Sequence, residues 1–252
     1  MFKPNININI LILLFAISGI HTVIAQTKTF SVDSFDKVIV SPHIQVTFRQ
    51  GDTEKVVIEK SDVSMDKVNV EVSGNTLRLF LDAAKVITKS EKVAHDQWKG
   101  KRSIYQGTKV NAVVTYKTLE SLSLRGEESF VCESPLKAEK FRLKVYGESH
   151  IYFNEVDFKL LHTTIYGESY LEIKKGRMDH HKIKAYGEST INTLGVTNKI
   201  TKVTAFGEGS YRFKTSDRLK VTAFGEATVA YEGNPEVNRG IVIGSATIRQ
   251  MQ

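Results

Sequence analysis

Apolar and polar residues alternate along most of this chain, in short runs separated by polar turns. In the segment KVYGESHIYF, Val145 and Ile151 fall on the apolar side of the alternation and Tyr146 falls on the other. The runs between turns are five to seven residues long and rich in Val, Ile, Thr, Tyr and Phe. Such runs are too short for helices and are typical of strands. The pattern therefore predicts an all-β protein.

A glycine recurs among these runs at a nearly constant interval. The four letters YGES occur three times, around Gly147, Gly167 and Gly187, and related segments extend the register in both directions. The resulting glycines are separated by 21, 20, 20, 20, 18 and 19 residues. The series is Gly126, Gly147, Gly167, Gly187, Gly207, Gly225 and Gly244. A fixed period near twenty residues is typical of a solenoid.

The repeat length fits one circuit of a parallel β-helix. Twenty residues at roughly 3.3 Å each give a path of about 66 Å, enough for two or three short strands and their corners. Successive circuits are expected to stack about 4.8 Å apart. The glycine is expected at a corner, where a positive φ or a close approach between coils excludes a side chain. The alternatives are hairpins in a sandwich and propeller blades, but a blade needs about forty residues.

Two rows of side chains are predicted to face inward, because they share the apolar side of the alternation. Two residues before the glycines lie Val145, Ile165, Ala185, Ala205, Ala223 and Val242. Four residues after them lie Ile151, Leu171, Ile191, Tyr211, Val229 and Ile248.

The part of the chain before the repeats is less periodic. Alternating runs within 30–81 and 110–124 are predicted to be strands that open the same stack. Between 85 and 108 the chain becomes charged and loses its alternation. We therefore expect a single β-solenoid domain over 26–252, with a loop or excursion at about 85–108.

Residues 1–25 have the features of a secretory signal peptide. Lys3 precedes an apolar run and the segment closes with Ala25, so cleavage is expected before Gln26. An uncleaved membrane anchor is the alternative. No later stretch approaches eighteen consecutive apolar residues, so no membrane span is expected after cleavage. The protein is thus expected to be exported, and to be periplasmic, on the outer surface or secreted.

Charge and cysteine content narrow the class of protein further. Loss of Lys3 lowers the formal net charge from +7 to +6, and no dense basic arm or aromatic-studded basic motif is present. Nucleic acid is therefore not an expected partner. The single cysteine, Cys132, cannot form an internal disulfide, so packing and backbone pairing alone must stabilise the fold.

The chain resembles a bacterial family, the putative auto-transporter adhesin, head GIN domain, through FDKVIVSPHIQVTFRQGD, VEVSGNTLRLFL and repeats such as VYGESHIYF. The likeness spans Phe30 to Ile248. The repeat core of that family is typically Ser-Gly-Ser-Gly-Asp; here Ser149 replaces the second glycine, and only the copy at Gly207 and Gly209 keeps both. The resemblance implies a right-handed, single-stranded parallel β-helix on an exported protein, with no established reaction or catalytic residues.

Equivalent residues of successive coils form rows along a solenoid. The residue before each glycine and the residue after it are both predicted to point outward. The aromatic row is Tyr146, Tyr166, Tyr186, Phe206 and Phe224. The acidic row is Glu148, Glu168, Glu188, Glu208 and Glu226. These ten side chains are the candidate binding residues.

A third row, five residues before the glycines, is basic. It consists of Arg142, His162, Lys182, Lys202, Lys220 and Arg239. Carboxylates stacked about 4.8 Å apart repel one another by roughly 0.9 kcal/mol per neighbour in water. The basic row is expected to offset this repulsion, unless a corner separates the two rows.

Two interpretations of the aromatic row remain open. The rings stack on one another and stabilise the solenoid, or they form a flat surface that stacks on sugar rings or docks against another protein. The glutamates are either solvated at the corners or take part in binding. A metal role is disfavoured, because calcium-binding solenoids supply several oxygens per site and each coil here supplies one carboxylate. No metal site and no cofactor are assigned.

Catalytic patterns are absent from the sequence. The histidines are scattered, and no H-x-x-x-H, C-x-x-C, G-x-S-x-G or phosphate-loop motif occurs, so no catalytic residue is assigned. The sequence therefore favours a non-enzymatic binding and adhesion module of the cell envelope or the medium. Its expected partner is a glycan or a surface protein, with a homo-oligomer as a further option. The alternative function is a carbohydrate-active β-helix enzyme, either a polysaccharide lyase or a hydrolase.

Overall fold

Stacked parallel strands make up most of the computed structural model, which describes residues 27–95 and 98–251. The predicted signal peptide, 1–25, lies outside the described residues. The chain forms a parallel β-solenoid of about 6 turns, with equivalent residues ~20 apart. A short 3-10 turn lies at Met65–Lys67. The all-β solenoid predicted from the glycine spacing is confirmed.

The strands follow one another with few long connections. In chain order they are β1 (Lys28–Ser31), β2 (Lys37–Val40), β3 (Ile44–Gln50), β4 (Lys55–Ser61), β5 (Val68–Ser73), β6 (Thr76–Leu81), β7 (Ser90–His95), β8 (Trp98–Ser103), β9 (Val110–Tyr116), β10 (Ser121–Gly126), β11 (Ser129–Cys132), β12 (Leu136–Gly147), β13 (His150–Phe153), β14 (Val156–Tyr166), β15 (Tyr170–Ile173), β16 (Gly176–Tyr186), β17 (Ser189–Glu232) and β18 (Glu236–Gln250).

Each coil contributes a long and a short stretch of strand, separated by the glycine corner. On the long side β12, β14, β16 and β17 pair in parallel, and on the short side β11, β13, β15 and β17 do so. The register matches the repeat, because Tyr146 pairs with Tyr166, which pairs with Tyr186. Equivalent residues of successive repeats therefore lie above one another along the rod.

The N-terminal strands join this stack and close its first end. β2 pairs in parallel with β10, and β3 pairs in parallel with β11, as expected of strands that open the stack. β2 also pairs in parallel with β6, and β3 with β9. Beyond β6 and β9 the pairing becomes antiparallel, between β5 and β6, between β4 and β9, and between β1 and β4. The segment 85–108 includes β7 and β8, which form a separate antiparallel hairpin.

The interior is apolar along most of the rod. In the coils from Gly147 to Gly225, both predicted inward rows are buried, which confirms the assignment of faces. In the last coil Val242 and Ile248 are only partly buried, since β18 pairs only with β17 in the described part of the chain. The rows are thus packed wherever a coil lies on each side.

The corner explains the recurring glycine. All seven glycines have φ between 106° and 126°, a region that other residues rarely adopt. A Cβ atom added to Gly187 would lie 2.9 Å from the carbonyl oxygen of Gly167, and one added to Gly207 would lie 2.9 Å from that of Gly187. The two predicted reasons for glycine, positive φ and close approach between coils, therefore apply together.

The serine of YGES completes the corner. Ser149 Oγ donates a hydrogen bond to the carbonyl oxygen of Gly126, and Ser169 Oγ donates one to that of Gly147, both at 2.8 Å. Both serines are buried, so these bonds satisfy hydroxyl groups that are removed from water.

One coil replaces this serine by Gly209. A Cβ at Gly209 would collide with the hydroxyl group of Tyr211, which lies 3.4 Å from Ser189 Oγ. The larger inward side chain of this coil therefore fits because the position beside it is a glycine.

A cluster of polar side chains interrupts the apolar interior. His181 is 0% exposed, and its Nε2 lies 2.9 Å from Thr163 Oγ1. Nearby, Asn198 Nδ2 donates a hydrogen bond to Thr201 Oγ1, which lies 2.6 Å from Thr215 Oγ1. Burial lowers the pKa of His181 to about 3, with a smaller contribution from His162. This imidazole is therefore neutral in the folded protein at ordinary pH.

We expect Gly187→Ala to destabilise the protein by about 2 to 4 kcal/mol, because it adds backbone strain and a contact with the coil below. Gly74→Ala is the matched control, since Gly74 has φ +55° and open space around its Cβ position. The control is expected to cost about 1 kcal/mol. Urea unfolding measures both free energies, and equal losses would contradict the close approach between coils.

Acid should destabilise the protein through His181. Its folded pKa of about 3 lies below the unfolded value of about 6.5. The unfolded state therefore binds the extra proton, and stability is lost as pH falls from about 6.5 toward 3, by up to about 1.4 kcal/mol per pH unit. His181→Leu should remove this part of the pH slope, whereas His180→Leu, at the exposed neighbouring position, should retain it. Identical slopes in both variants, measured by urea unfolding across this range, would contradict the assignment.

Candidate binding face of the solenoid

The aromatic row forms a continuous stack along the rod. Its ring centroids are 5.1 Å apart between Tyr146 and Tyr166 and 4.8 Å apart at each later step. The angles between successive ring planes are 2° to 9°. The rings therefore contact one another face to face, with a spacing close to that of the strands.

Arg125 covers the first end of the aromatic row, and β18 lies beside its last ring. The guanidinium of Arg125 lies 4.3 Å from the ring centroid of Tyr146, and Ile243 pairs with Phe224 in the register of the last coil. Stacking thus occupies the ring faces, and the row presents ring edges and tyrosine hydroxyl groups. Tyr166 is the most exposed of the five, at 42%. The structure has the self-stacking arrangement of the first interpretation and leaves no broad ring face for a sugar.

The acidic row lies just beyond the glycine corner. All five glutamates are exposed to solvent. Within residues 27–95 and 98–251, no ion pair joins this row to the basic row. The corner and the aromatic row lie between the two rows, so the structure has the alternative arrangement, in which a corner separates the basic row from the glutamates.

The basic row lies on the long side of the coil, with the aromatic row at its edge. Arg142 pairs with His162, His162 with Lys182, and Lys182 with Lys202. Lys220 holds the same position before Gly225. The last predicted member leaves the row: a bulge between Val221 and Ala223 aligns Arg239 with Val221.

A second outward column lies between the basic and the aromatic rows. It consists of Lys144, Thr164, Lys184, Thr204 and Thr222. We call this column together with the basic row the basic face. The pKa of His162 is lowered, first by partial burial and then by the nearby cations, among them Lys182 and Arg142. The face therefore has a positive potential at the position of the imidazole.

On the next side of the coil, acidic and basic residues alternate from one coil to the next. The sequence analysis did not identify this alternation. Glu139 pairs with Lys159 at 2.7 Å, and Asp179 pairs with Lys199 at 2.8 Å. In the neighbouring column Asp157 and Arg177 form a bidentate pair. These columns alternate in sign from coil to coil, and they flank a groove of about 780 Å³. Writing the coils above one another in a 20-residue register would have revealed the alternation.

A smaller groove, of about 650 Å³, lies where the segment 85–108 meets the start of the aromatic row. Its buried Glu128 accepts hydrogen bonds at 3.0 Å from the backbone N–H groups of His43 and Glu127. Burial raises the pKa of Glu128. In the next coil the corresponding N–H group, that of Glu148, donates to the carbonyl oxygen of Gly126. Glu128 thus serves as the acceptor in the first coil, where no glycine corner lies beneath.

The described ranges contain neither a cluster of metal-binding side chains nor a membrane-spanning helix. No group of three or more His, Cys, Asp or Glu side chains in 27–95 and 98–251 is arranged to hold a metal ion. Over the same ranges, no helix has the length and apolar character needed to cross a membrane.

We expect the aromatic row to stabilise the rod. Tyr186 stacks on both Tyr166 and Phe206, so Tyr186→Ala should cost about 2 to 4 kcal/mol through two lost stacking contacts and lost burial. Tyr186→Phe keeps the ring and should cost less than about 0.5 kcal/mol. Thermal or urea unfolding measures both, and a negligible loss for the alanine variant would refute the stabilising role.

Several solved structures from Bacteroides and Parabacteroides have a similar fold. A putative adhesin from Bacteroides fragilis NCTC 9343 matches with a TM-score of 0.72 and 18% identity, covering 89% of this chain and 96% of that chain. A putative adhesin from Parabacteroides merdae ATCC 43184 matches with a TM-score of 0.65 and 19% identity, covering 90% and 95%. A putative lipid binding protein from Parabacteroides distasonis ATCC 8503 matches with a TM-score of 0.65 and 15% identity, covering 90% and 96%.

These likenesses show a shared fold. No curated protein matches the chain significantly. A family model matches residues 34–235, which is most of the chain and includes the repeat coils up to Gly225. The corner glycines, the stacked coils and this match agree, and the chain belongs to the family described as putative auto-transporter adhesin, head GIN domain.

Proposed function

We propose that this protein is an exported, non-enzymatic binding and adhesion module that holds a glycan or a surface protein against the outward rows beside the glycine corner. The main support is the regularity of these rows. Like side chains recur every coil at about 4.8 Å, as ring edges, exposed carboxylates and cations. A repeating surface of this kind offers equivalent contacts to a repeating ligand.

The tyrosine edges and the acidic row give this face its polar contacts. Tyrosine hydroxyl groups donate and accept hydrogen bonds, and ionised glutamates accept them from sugar hydroxyl groups or from protein N–H groups. The ten residues assigned from the sequence, the aromatic and acidic rows, thus have separate parts in the proposal. Stacked rings keep the face straight, and the exposed groups bind.

Family membership and the predicted signal peptide support the rest of the proposal. Two of the structural neighbours are named putative adhesins, which agrees with a binding role. Export places the module in the periplasm, on the outer surface or in the medium, where glycans and surface proteins are available partners.

The test is a glycan array and a cell-surface binding assay with the mature chain. Glu168→Gln with Glu188→Gln should weaken binding by roughly tenfold, because hydrogen bonds to charged groups are lost. Asp52→Asn with Glu59→Gln removes two exposed carboxylates elsewhere and should leave binding unchanged.

Retention of intact ligand supports the proposal. Release of shortened or unsaturated sugar products would indicate an enzyme instead, and equal effects of the two double variants would place the binding surface elsewhere.

A further inference from the structure

The rod carries two kinds of charged surface. In the columns beside the larger groove, acidic and basic residues alternate, so each charge has an opposite neighbour in the next coil. The pairs Glu139–Lys159 and Asp179–Lys199 have N to O distances of 2.7 and 2.8 Å. A further pair outside this groove, Glu155–Lys175, has a distance of 2.9 Å. Like charges one coil apart are thereby avoided, which keeps the strands in register at no electrostatic cost.

The basic face lacks this alternation. The five sequence runs that form it contain no Asp or Glu, and they are 140–146, 160–166, 180–186, 200–206 and 218–224. Six cations point outward from its two columns: Arg142, Lys182, Lys202, Lys220, Lys144 and Lys184. None of the six forms an ion pair within the part of the chain that the structure describes.

The fold does not require this arrangement. Neighbouring cations one coil apart repel by roughly 0.9 kcal/mol even in water, and alternation elsewhere on the same rod shows that the repulsion is avoidable. The lowered pKa of His162 is a separate sign of the positive potential, because Lys182, Lys140 and Arg142 all contribute to it after desolvation. An external anion would remove the repulsion.

The shape of the face limits the kind of anion. The basic row and the aromatic row are straight and parallel, with ring planes within 9° of one another and steps of 4.8 to 5.1 Å. A ligand that contacts cations in several coils at once must be linear and carry several negative charges. The acidic row on the far side of the aromatic row repels anions, so such a ligand is confined to the basic side.

Acidic polysaccharides have this chemistry. A uronic acid carries a carboxylate at one edge of the sugar ring and hydroxyl groups at the opposite edge. With the carboxylates over the basic row, the hydroxyl groups lie toward the tyrosine edges and the acidic row, where acceptors are available.

We propose that the basic face binds a linear polyuronate lengthwise along the rod, with its carboxylates over the cations of the face. This inference rests on the proposed binding function and names the class of its ligand. Binding is expected to be salt-sensitive, because the contacts are exposed ion pairs.

The experiment measures binding of the mature chain to polygalacturonate by calorimetry, with uncharged dextran as the neutral polymer. Arg142→Gln, Lys182→Gln and Lys202→Gln together should weaken binding by roughly tenfold, since three exposed charge contacts are removed. Lys159→Gln, Lys175→Gln and Lys199→Gln together lower the net charge equally but lie in the alternating columns. This control should change binding by less than about twofold. Binding should be lost in about 1 M salt, where the Debye length is about 3 Å.

Several outcomes would overturn the inference. Equal weakening by the two triple variants would show that only net charge matters. Tighter binding to phosphatidylglycerol vesicles than to polygalacturonate would point to an anionic membrane surface. Binding to dextran or to cell surfaces without binding to polygalacturonate would leave the proposed function standing and refute this inference alone. An absence of binding in every assay would refute both.

Discussion

The contact between successive glycine corners sets the geometry of this protein. From Gly147 onward, each corner glycine lies directly over the carbonyl group of the glycine one coil earlier, in a conformation with positive φ. This contact fixes where every coil turns, and therefore which residues on either side of the turn lie above one another. The apolar interior, the stacked rings and the charged columns all follow from that alignment, because a shift of one residue would exchange the inward and outward faces.

Much of this arrangement was predictable from the sequence, because it depends on repetition. The glycine spacing predicted the corner, and the alternation around Val145 and Ile151 predicted the interior. Strand pairing outside the repeat and contacts between individual side chains were not predictable in the same way. The antiparallel strands at the first end are outside the repeat, and the fit of Tyr211 beside Gly209 depends on a contact between two coils.

In the candidate site, too, repetition predicted some features and left others unpredicted. The aromatic and acidic rows were identified by position, and the structure places them as columns. The position of the two rows relative to each other depends on the direction of the rings and on the turn at the corner. The period of the repeat does not reveal either feature. The basic row was assigned to neutralise the glutamates, but the corner holds the two apart, and Arg125, which lies one coil earlier, covers the first ring instead. Because the two rows are separated, the acidic row does not neutralise the cations of the basic face.

The polar cluster around His181 and the alternating columns illustrate how a repetitive rod acquires a unique register. An all-apolar interior with uniform charges would allow one coil to replace another at little cost. The contact of the buried His181 imidazole with Thr163 and the ion pair of Asp179 with Lys199 both depend on one alignment of the coils. They distinguish coils whose corners are nearly identical.

The orientation of the backbone hydrogen bonds along the rod also has a mechanical consequence. A pull on the two ends of the stack loads one coil boundary at a time, so the rod would yield in steps. Each step would release about 66 Å of extended chain in exchange for about 4.8 Å of rod. Such a molecule lengthens under tension by peeling.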